Sequence, residues 1–363
     1  MSANTPAILG YRMPAEWEPH AATWLAWPHN PITWGEYLAD VQDIFLRMIA
    51  ALQTGERVHL LLQDRTTAAL VTQAMQPHGG STDHLIMHQQ PTADAWLRDS
   101  GPNFLTGIQT GQLALNHWGF NAWGNKYPDL LVDTILPQYI ADLLHVPRFT
   151  PGIVLEGGSI DVNGRGTCLT TEQCLLNPNR NPQLQRADLE QYLRSYLGVQ
   201  HIIWLGEGIV GDDTDGHVDD MARFVNPTTV VCALSEDPQD PNYHVLQDNY
   251  QRLCKAVDQH GQPLEVIPLP MPGPLGPPDS RLPASYANFY IANRVVLVPV
   301  YRYRHDQTAL EILQKLFPER QVIGIPCEPL VWGFGAIHCV TQQQPEALSL
   351  SETDSSRDAR GYA

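Results

Sequence analysis

Hydrophobic positions along this chain repeat in two alternating periods. Leu189, Tyr192, Leu193, Tyr196 and Leu197 fall on one face of a helix near 187–197, and Gly198 sits where a C-terminal cap belongs. Val41, Ile44, Phe45, Met48, Ile49 and Leu52 form a second helical stripe, ended by Gly55. Between such stripes lie short apolar runs of strand length, such as His201–Leu205 and Val295–Val300. In order, the pattern predicts strands within 103–117, a helix near 131–144 and a strand at Ile153–Leu155. It then predicts strands within 159–170, the helix near 187–197 and the strand His201–Leu205. A third unit has strands within 219–233, a helix near 243–257 and a strand at Leu264–Pro268. A fourth has strands within 287–300, a helix near 307–317 and a strand at Gln321–Ile325. The fifth is split: its first strand is placed at Ile337–Thr341, its helix is the 41–52 stripe, and its last strand is Val58–Leu62. An extra helix (64–75) and strand (84–88) precede the first unit. Strand–strand–helix–strand thus recurs at intervals of roughly 50–70 residues, and a split unit lets the two termini close a ring. The expected fold class is α/β, built from five ββαβ units.

Composition narrows the partners. The 39 acidic and 22 basic residues give a formal charge of −17, since 39 − 22 = 17. With 17% charged and 43% hydrophobic residues, the chain is neither disordered nor membrane-embedded by composition. No apolar run approaches the ~18 residues that a spanning helix needs, so no membrane partner is expected. The first residues carry Arg12, Glu16, Glu18 and His20 without an apolar core, so no secretory signal is read there. Six cysteines are too sparse for a disulfide scaffold, and a cytoplasmic location is the expectation. The acidic balance disfavours nucleic acid and suits a small cation. Length alone allows two domains. The recurrence predicts one catalytic domain over 1–363, ordered to about residue 345, with 346–363 a flexible polar tail.

Polar or aromatic junctions follow the units. They are Asp94-Ala-Trp96-Leu-Arg98-Asp99, Glu156-Gly-Gly-Ser159, Gly211-Asp-Asp-Thr-Asp-Gly-His217-Val-Asp219-Asp220, Pro283-Ala-Ser-Tyr-Ala-Asn288 and Trp332-Gly-Phe-Gly-Ala-Ile-His338-Cys339. In a closed radial fold they meet near the axis. One cysteine, one His-x-Asp and two further carboxylates then face one another: a nucleophile, an acid/base and cation-binding groups. Each has a plainer reading. Cys339 is compatible with a core cysteine, His217 with a turn histidine, Asp99 with an ion pair to Arg98, and Glu156 with a strand-end carboxylate. The acidic loop 211–220 does not fit a calcium loop, because Gly211 and Ala222 fall at ligand positions. Gly206-Glu-Gly208-Ile-Val-Gly211 has dinucleotide-loop spacing, but the carboxylates after it would repel a pyrophosphate. No C-x-x-C pair or H-E-x-x-H helix suggests zinc, so no metal is expected.

These motifs resemble those of the agmatine deiminases and the bacterial (Porphyromonas-type) peptidylarginine deiminase family, members of the guanidine-modifying pentein superfamily. The resemblance spans nearly the whole chain. It includes Met13-Pro-Ala-Glu-Trp-Glu-Pro-His20, Trp96-Leu-Arg98-Asp99-Ser-Gly-Pro102, Trp118-Gly-Phe-Asn-Ala-Trp123-Gly and Leu155-Glu156-Gly-Gly-Ser159. It continues through Thr171-Glu-Gln-Cys-Leu-Leu-Asn177-Pro-Asn-Arg180, Gly211 to Asp219, Ser285-Tyr-Ala-Asn288 and Ile337-His-Cys339. It implies a five-bladed pseudo-symmetric α/β propeller. It also implies that Cys339 is the nucleophile, His217 the general acid/base, Asp99 and Asp219 the guanidinium-binding carboxylates, and Glu156 the group that orients His217 and substrate. Trp96 is similar to the aromatic that lines the family's pocket. The chemistry needs these types: paired carboxylates fix a planar cation, and a thiolate attacks its carbon. No cofactor is required.

The implied activity is hydrolysis of agmatine to N-carbamoylputrescine and ammonia, within polyamine formation; a homodimer is expected as the default for a soluble enzyme. Peptidylarginine or free arginine is the same-class alternative. Free arginine needs a cation for its carboxylate, and Arg98 and Arg180 are the candidates. A non-catalytic binding propeller and a cysteine protease are the other classes; the first predicts loss of the site residues, and the second leaves the carboxylates unexplained. Glu207, Asp212, Asp213 and Asp215 are expected to favour a cationic substrate tail, with Asp213 and Asp215 as substrate-binding candidates. Phe334 stands where relatives often carry a glycine, while Glu328-Pro329 and Asn293-Arg294 also depart from the pattern.

Overall fold

The computed structural model describes residues 4–79, 83–277 and 279–347. Among them the strands fall into five separate sheets. The first contains the antiparallel pair Asn103–Gly107 and Leu113–Asn116, then helix Leu136–Leu144, then the parallel strand Arg148–Phe149. The second pairs Asp161–Val162 with Thr167–Thr171, and helix Arg186–Leu197 returns the chain to the parallel strand His201–Leu205. The third repeats this with Ala222–Asn226, Thr229–Leu234, helix Tyr243–Lys255 and Glu265–Pro270. The fourth uses Tyr290–Ile291, Val295–Val300, helix Asp306–Leu316 and Gln321–Pro326. In the fifth, Gln342–Pro345 pairs antiparallel with His20–Ala26. Helix Leu38–Leu52 then leads to the parallel strand Arg57–Leu62, and helix Arg65–Ala74 to Leu85–Gln89. One sheet therefore joins the two ends of the described chain.

Local chemistry explains these elements. Helix Arg186–Leu197 opens on a reciprocal cap between Gln185 and Asp188 and closes at Gly198, whose φ of 70° suits a residue without Cβ. Val41, Ile44, Phe45, Met48, Ile49 and Leu52 are all buried, as the stripe requires. Val295–Val300 is buried at every position, as expected for a strand flanked on both sides and covered on both faces.

Two strands lie elsewhere than the pattern predicts. Ile153–Leu155 forms only a single bridge, Gly119 to Val154, and the parallel strand is Arg148–Phe149. Gly119 bonds to Ile153 O and Leu155 N, while the Asn181 side chain takes both backbone groups of Val154 on the opposite edge, at 3.0 and 2.8 Å. Ile337–Thr341 is a turn, with Thr341 Oγ1 donating to Ile337 O at 3.0 Å. The strand begins one residue later, and its partner His20–Ala26 was not anticipated. The helix near 131–144 starts as a 3₁₀ segment, Pro128–Ile135, before turning α-helical. Most of the expected tail lies outside the described residues. Among the described residues, no helix is long and apolar enough to cross a membrane.

Candidate active site

Short turns between the units carry the polar residues. Asp99 lies in the one-turn helix Leu97–Ser100, Glu156 precedes the 3₁₀ turn Gly157–Ser159, and His217 precedes the turn Val218–Asp220. They converge on Gly158. A Cβ there would sit 2.6 Å from His217 Nδ1, 2.9 Å from Asp219 Oδ2 and 3.0 Å from Asp99 Oδ1. Gly158 also donates its N–H to Asp99 Oδ1 at 2.9 Å. Only a residue without a side chain permits this close approach.

Cys339 completes the group. Its Sγ lies 3.8 Å from Asp219 Oδ2, and the Asn288 amide donates to it at 3.1 Å. His217 Nδ1 is 3.8 Å from Asp99 Oδ2 and 4.0 Å from Asp219 Oδ1, beyond hydrogen-bond length. Both His217 ring nitrogens, Asp219 Oδ1 and Glu156 Oε2 are buried without a hydrogen-bond partner. Buried polar atoms are normally paired, so this concentration marks the place where a polar ligand fits.

The charges are strained in the same sense. Burial pushes the Asp99 carboxyl well above its ordinary range, and Asp219 and Glu156 add to the rise. Burial, then Asp219, Asp220 and Asp99, raise the Cys339 thiol. Burial lowers His217 to about 3. Asp219 is the exception: burial raises it, but the hydrogen bond and charge of His338, with His217 and Arg223, together outweigh that and hold it low. The site thus holds a neutral thiol and a neutral imidazole beside crowded carboxylates. A cation would favour the ionised forms of Asp99 and Cys339 together, while keeping His217 neutral.

Surrounding groups hold this arrangement. His338 Nδ1 meets Asp219 Oδ2 at 2.6 Å, and its Nε2 meets Glu16 Oε2 at 2.9 Å. Glu16 Oε1 is paired with Arg223 at 2.9 Å. Glu156 Oε1 accepts from Arg180 Nε at 2.6 Å, and Arg180 Nη1 grips Asp215 at 2.6 Å. Asp212 accepts the backbone N–H groups of Gly216 and His217, both at 3.0 Å, and so shapes the loop before His217. Asn288, His338, Glu16 and Trp123 lie inside motifs visible in the sequence, but their roles required the fold.

A cavity of about 290 Å³ opens onto Cys339 and Asp99. Trp96, Trp123, Lys126, Asp129, Asp213 and Phe334 are on its walls. Trp123 Nε1 donates to Asp99 Oδ2 at 2.9 Å. Gly335 is forced small: its Cβ would stand 2.6 Å from the Trp96 ring and 3.1 Å from Cys339 Cβ. Phe334 adopts φ 67°, a region that favours glycine. Asp213 reaches the cavity, but Asp215 does not line it and instead supports Lys126, Asn179 and Arg180. Glu207 lines a different groove, with Glu172 and Asp248. Arg98 is committed to His338 O, Gln343 and Glu16, so neither it nor Arg180 faces the cavity as a free cation. Glu156, Cys174 and His217 offer ligand atoms within 4.8 Å of one another. A dication there would meet the Arg180 guanidinium, which already binds Glu156.

The sequence profile described as Porphyromonas-type peptidyl-arginine deiminase matches residues 12–345. A protein named agmatine deiminase from Medicago truncatula is 38% identical, covering 94% of this chain and 98% of its own. Another of that name, from Stutzerimonas stutzeri, is 39% identical, covering 94% and 97%. The solved agmatine deiminase of Enterococcus faecalis superposes with a TM-score of 0.87 at 35% identity, covering 96% of this chain and 99% of that one.

Proposed function

The chain belongs to the Porphyromonas-type peptidyl-arginine deiminase family, and from that premise we propose that it is an agmatine deiminase. It hydrolyses a C–N bond of a linear amidine, converting agmatine and water to N-carbamoylputrescine and ammonia. The observation that carries this reading is the meeting of Asp99, Asp219 and His217 at Gly158, with Cys339 against Asp219 and Glu156 near His217, beside a cavity that reaches Cys339.

The mechanism follows from the charges. The guanidinium enters between Asp99 and Asp219, which hold its nitrogens in one plane. Its positive charge offsets the carboxylates that raise the Cys339 thiol, so the bound substrate itself favours the thiolate. The Cys339 thiol passes its proton to His217 as sulfur forms a bond to the guanidinium carbon, giving a neutral tetrahedral adduct. His217 delivers a proton to the departing nitrogen, the C–N bond breaks, and ammonia leaves. A thiouronium adduct remains. Water loses a proton to His217 and adds its oxygen to the same carbon. The C–S bond then breaks, releasing the ureido product and Cys339. Glu156 and Arg180 orient His217 through both turnovers of its proton.

We read the five sheets as blades around one axis and residues 1–363 as one catalytic domain, acting as a cytoplasmic homodimer in polyamine formation. Trp96 stacks along the substrate's alkyl chain. The test is incubation of purified protein with agmatine, free arginine and an arginine peptide, scoring ureido product and ammonia. Agmatine should be preferred; preference for either arginine substrate overturns the assignment. Cys339→Ala should bind agmatine without turning it over.

A further inference from the structure

The cavity mouth carries its own cation. Lys126 is the only basic side chain among the described residues lining the cavity. Its Nζ lies 2.9 Å from Asp215 Oδ1 and 3.3 Å from Asp213 Oδ1. The Tyr127 hydroxyl donates to the other Asp213 oxygen. Both oxygens of Asp213, the loop acid that reaches the cavity, are therefore engaged by the protein itself. Lys126 follows a stretch in which Ala122, Trp123 and Asn125 all take positive φ, of 51°, 52° and 62°. Such backbone persists only where surrounding contacts hold it. Here it sets Trp123 against Asp99 and Lys126 against Asp213 within one short turn.

We infer that Lys126 is a specificity-determining residue that competes with the substrate's far end for Asp213. This rests on the agmatine reading, because it assigns the cavity mouth to the tail of an ω-guanidino compound. The loop's acidity would select a cationic tail strongly if its carboxylates were free. Lys126 neutralises that charge, so the mouth discriminates weakly between ammonium, neutral and carboxylate tails. The substrate class is thereby broadened to guanidines carrying a four-carbon chain, with tail charge a secondary feature. Lys126 also offers the nearest cation to a carboxylate tail, a role that neither Arg98 nor Arg180 is placed to fill.

The experiment compares kcat/KM for agmatine, n-butylguanidine and 4-guanidinobutanoate in the wild-type full chain and in Lys126→Met, with Lys126→Gln as a second variant. The agmatine-to-butylguanidine ratio should rise about threefold to fivefold, the scale of a partly exposed ion pair. The guanidinobutanoate-to-butylguanidine ratio should fall by a similar factor, and both changes should lie in KM. In Lys126→Met/Asp213→Asn the agmatine gain should vanish. Equal changes for all three guanidines, or a gain that survives loss of the Asp213 charge, overturn the inference and leave the agmatine assignment standing. Failure of the wild type to hydrolyse any of the three overturns the assignment and this inference with it.

Discussion

His338 donates from Nδ1 to Oδ2 of Asp219 at 2.6 Å, while the other Asp219 oxygen has no partner. The histidine next to Cys339 thus orients the Asp219 carboxylate rather than the thiol. Its Nε2 meets Glu16, so both ring nitrogens face carboxylate oxygens. His338→Ala should lower kcat/KM for agmatine by about 10²-fold or more, since unpairing a buried charge costs ~3–5 kcal/mol. His338 makes the largest contributions that lower Asp219, so its loss should also move the acid limb of kcat/KM to higher pH. His338→Asn, which keeps one donor, should recover part of both effects. A pH profile unchanged in the alanine variant would remove this role.

Asp99→Asn and Asp219→Asn should each lose about two to three orders of magnitude in kcat/KM, by the same cost of an unpaired buried cation. Asp240→Asn should not, because Asp240 pairs with Arg281 at 2.6 Å, outside the cavity lining. Asp99 makes a further, opposite prediction. Its folded pKa is raised, so the fold prefers it protonated: its contribution is favourable below the unfolded value near 3.8 and is lost as pH rises through the folded value. At pH 7 the inactive Asp99→Asn protein should therefore melt above wild type, and the gap should shrink as pH falls. A lower melting temperature for Asp99→Asn at pH 7 contradicts this electrostatic account.

Gly158→Ala tests the meeting point of the turns. The new methyl would lie inside contact distance of His217, Asp219 and Asp99 together. Those groups are buried and held by neighbours, so they cannot yield cheaply. Circular dichroism should remain that of a folded protein, while agmatine binding by calorimetry should fall below detection. Wild-type binding in a folded Gly158→Ala protein would place the guanidinium elsewhere.

The residues that meet at this point were legible in the chain because each sits in a short polar motif after an apolar strand. The helices were legible where one face is continuously apolar, as in Leu38–Leu52. What the sequence hid was pairing. The parallel ladder falls at Arg148–Phe149, and Asn181 takes the far edge of Val154, where no strand pairs among the described residues. The acidic loop shows the same limit. Its count of negative charges is plain, but Lys126 and Arg180 approach it from segments 89 and 35 residues away. Those contacts pair off Asp213 and Asp215 and leave Asp212, Asp219 and Asp220 without them.

Phe334 occupies left-handed backbone on the cavity wall, at 38% exposure. Phe334→Gly removes that strain, worth ~1–2 kcal/mol, but adds chain entropy of ~0.5–1 kcal/mol. The melting temperature should therefore change little. The widened cavity should raise kcat/KM for a bulkier guanidine such as arginine amide more than for agmatine. A uniform change across both substrates would show that the ring does not shape the pocket.

The reactivity of Cys339 separates two ways of making the thiolate. If a histidine cation supplied the charge, the free protein would alkylate with a step near the usual histidine pKa of ~6.5. Here burial holds His217 at about 3, so it stays neutral from pH 5 to 9 and supplies no such charge. Burial and the carboxylates of Asp219, Asp220 and Asp99 raise the thiol well above 9. Iodoacetamide should therefore react slowly with Cys339 at pH 7, and its rate should still be climbing at pH 9. An alkylator that carries an amidinium, such as 2-chloroacetamidine, brings the cation with it and should show a much flatter dependence over the same range. Asp219→Asn sharpens the contrast. It removes a negative charge 3.8 Å from Sγ, so the thiol should ionise more readily and react faster with iodoacetamide at pH 7. On the proposed binding mode the same variant loses one of the two carboxylates facing the amidinium, so it should react more slowly with the cationic reagent. Opposite shifts for the two reagents are the expected result, read as inactivation rates with Cys339 modification confirmed by mass spectrometry. A single step near pH 6–7 in the wild-type iodoacetamide profile, or parallel shifts in Asp219→Asn, would instead assign the thiolate to a resident ion pair.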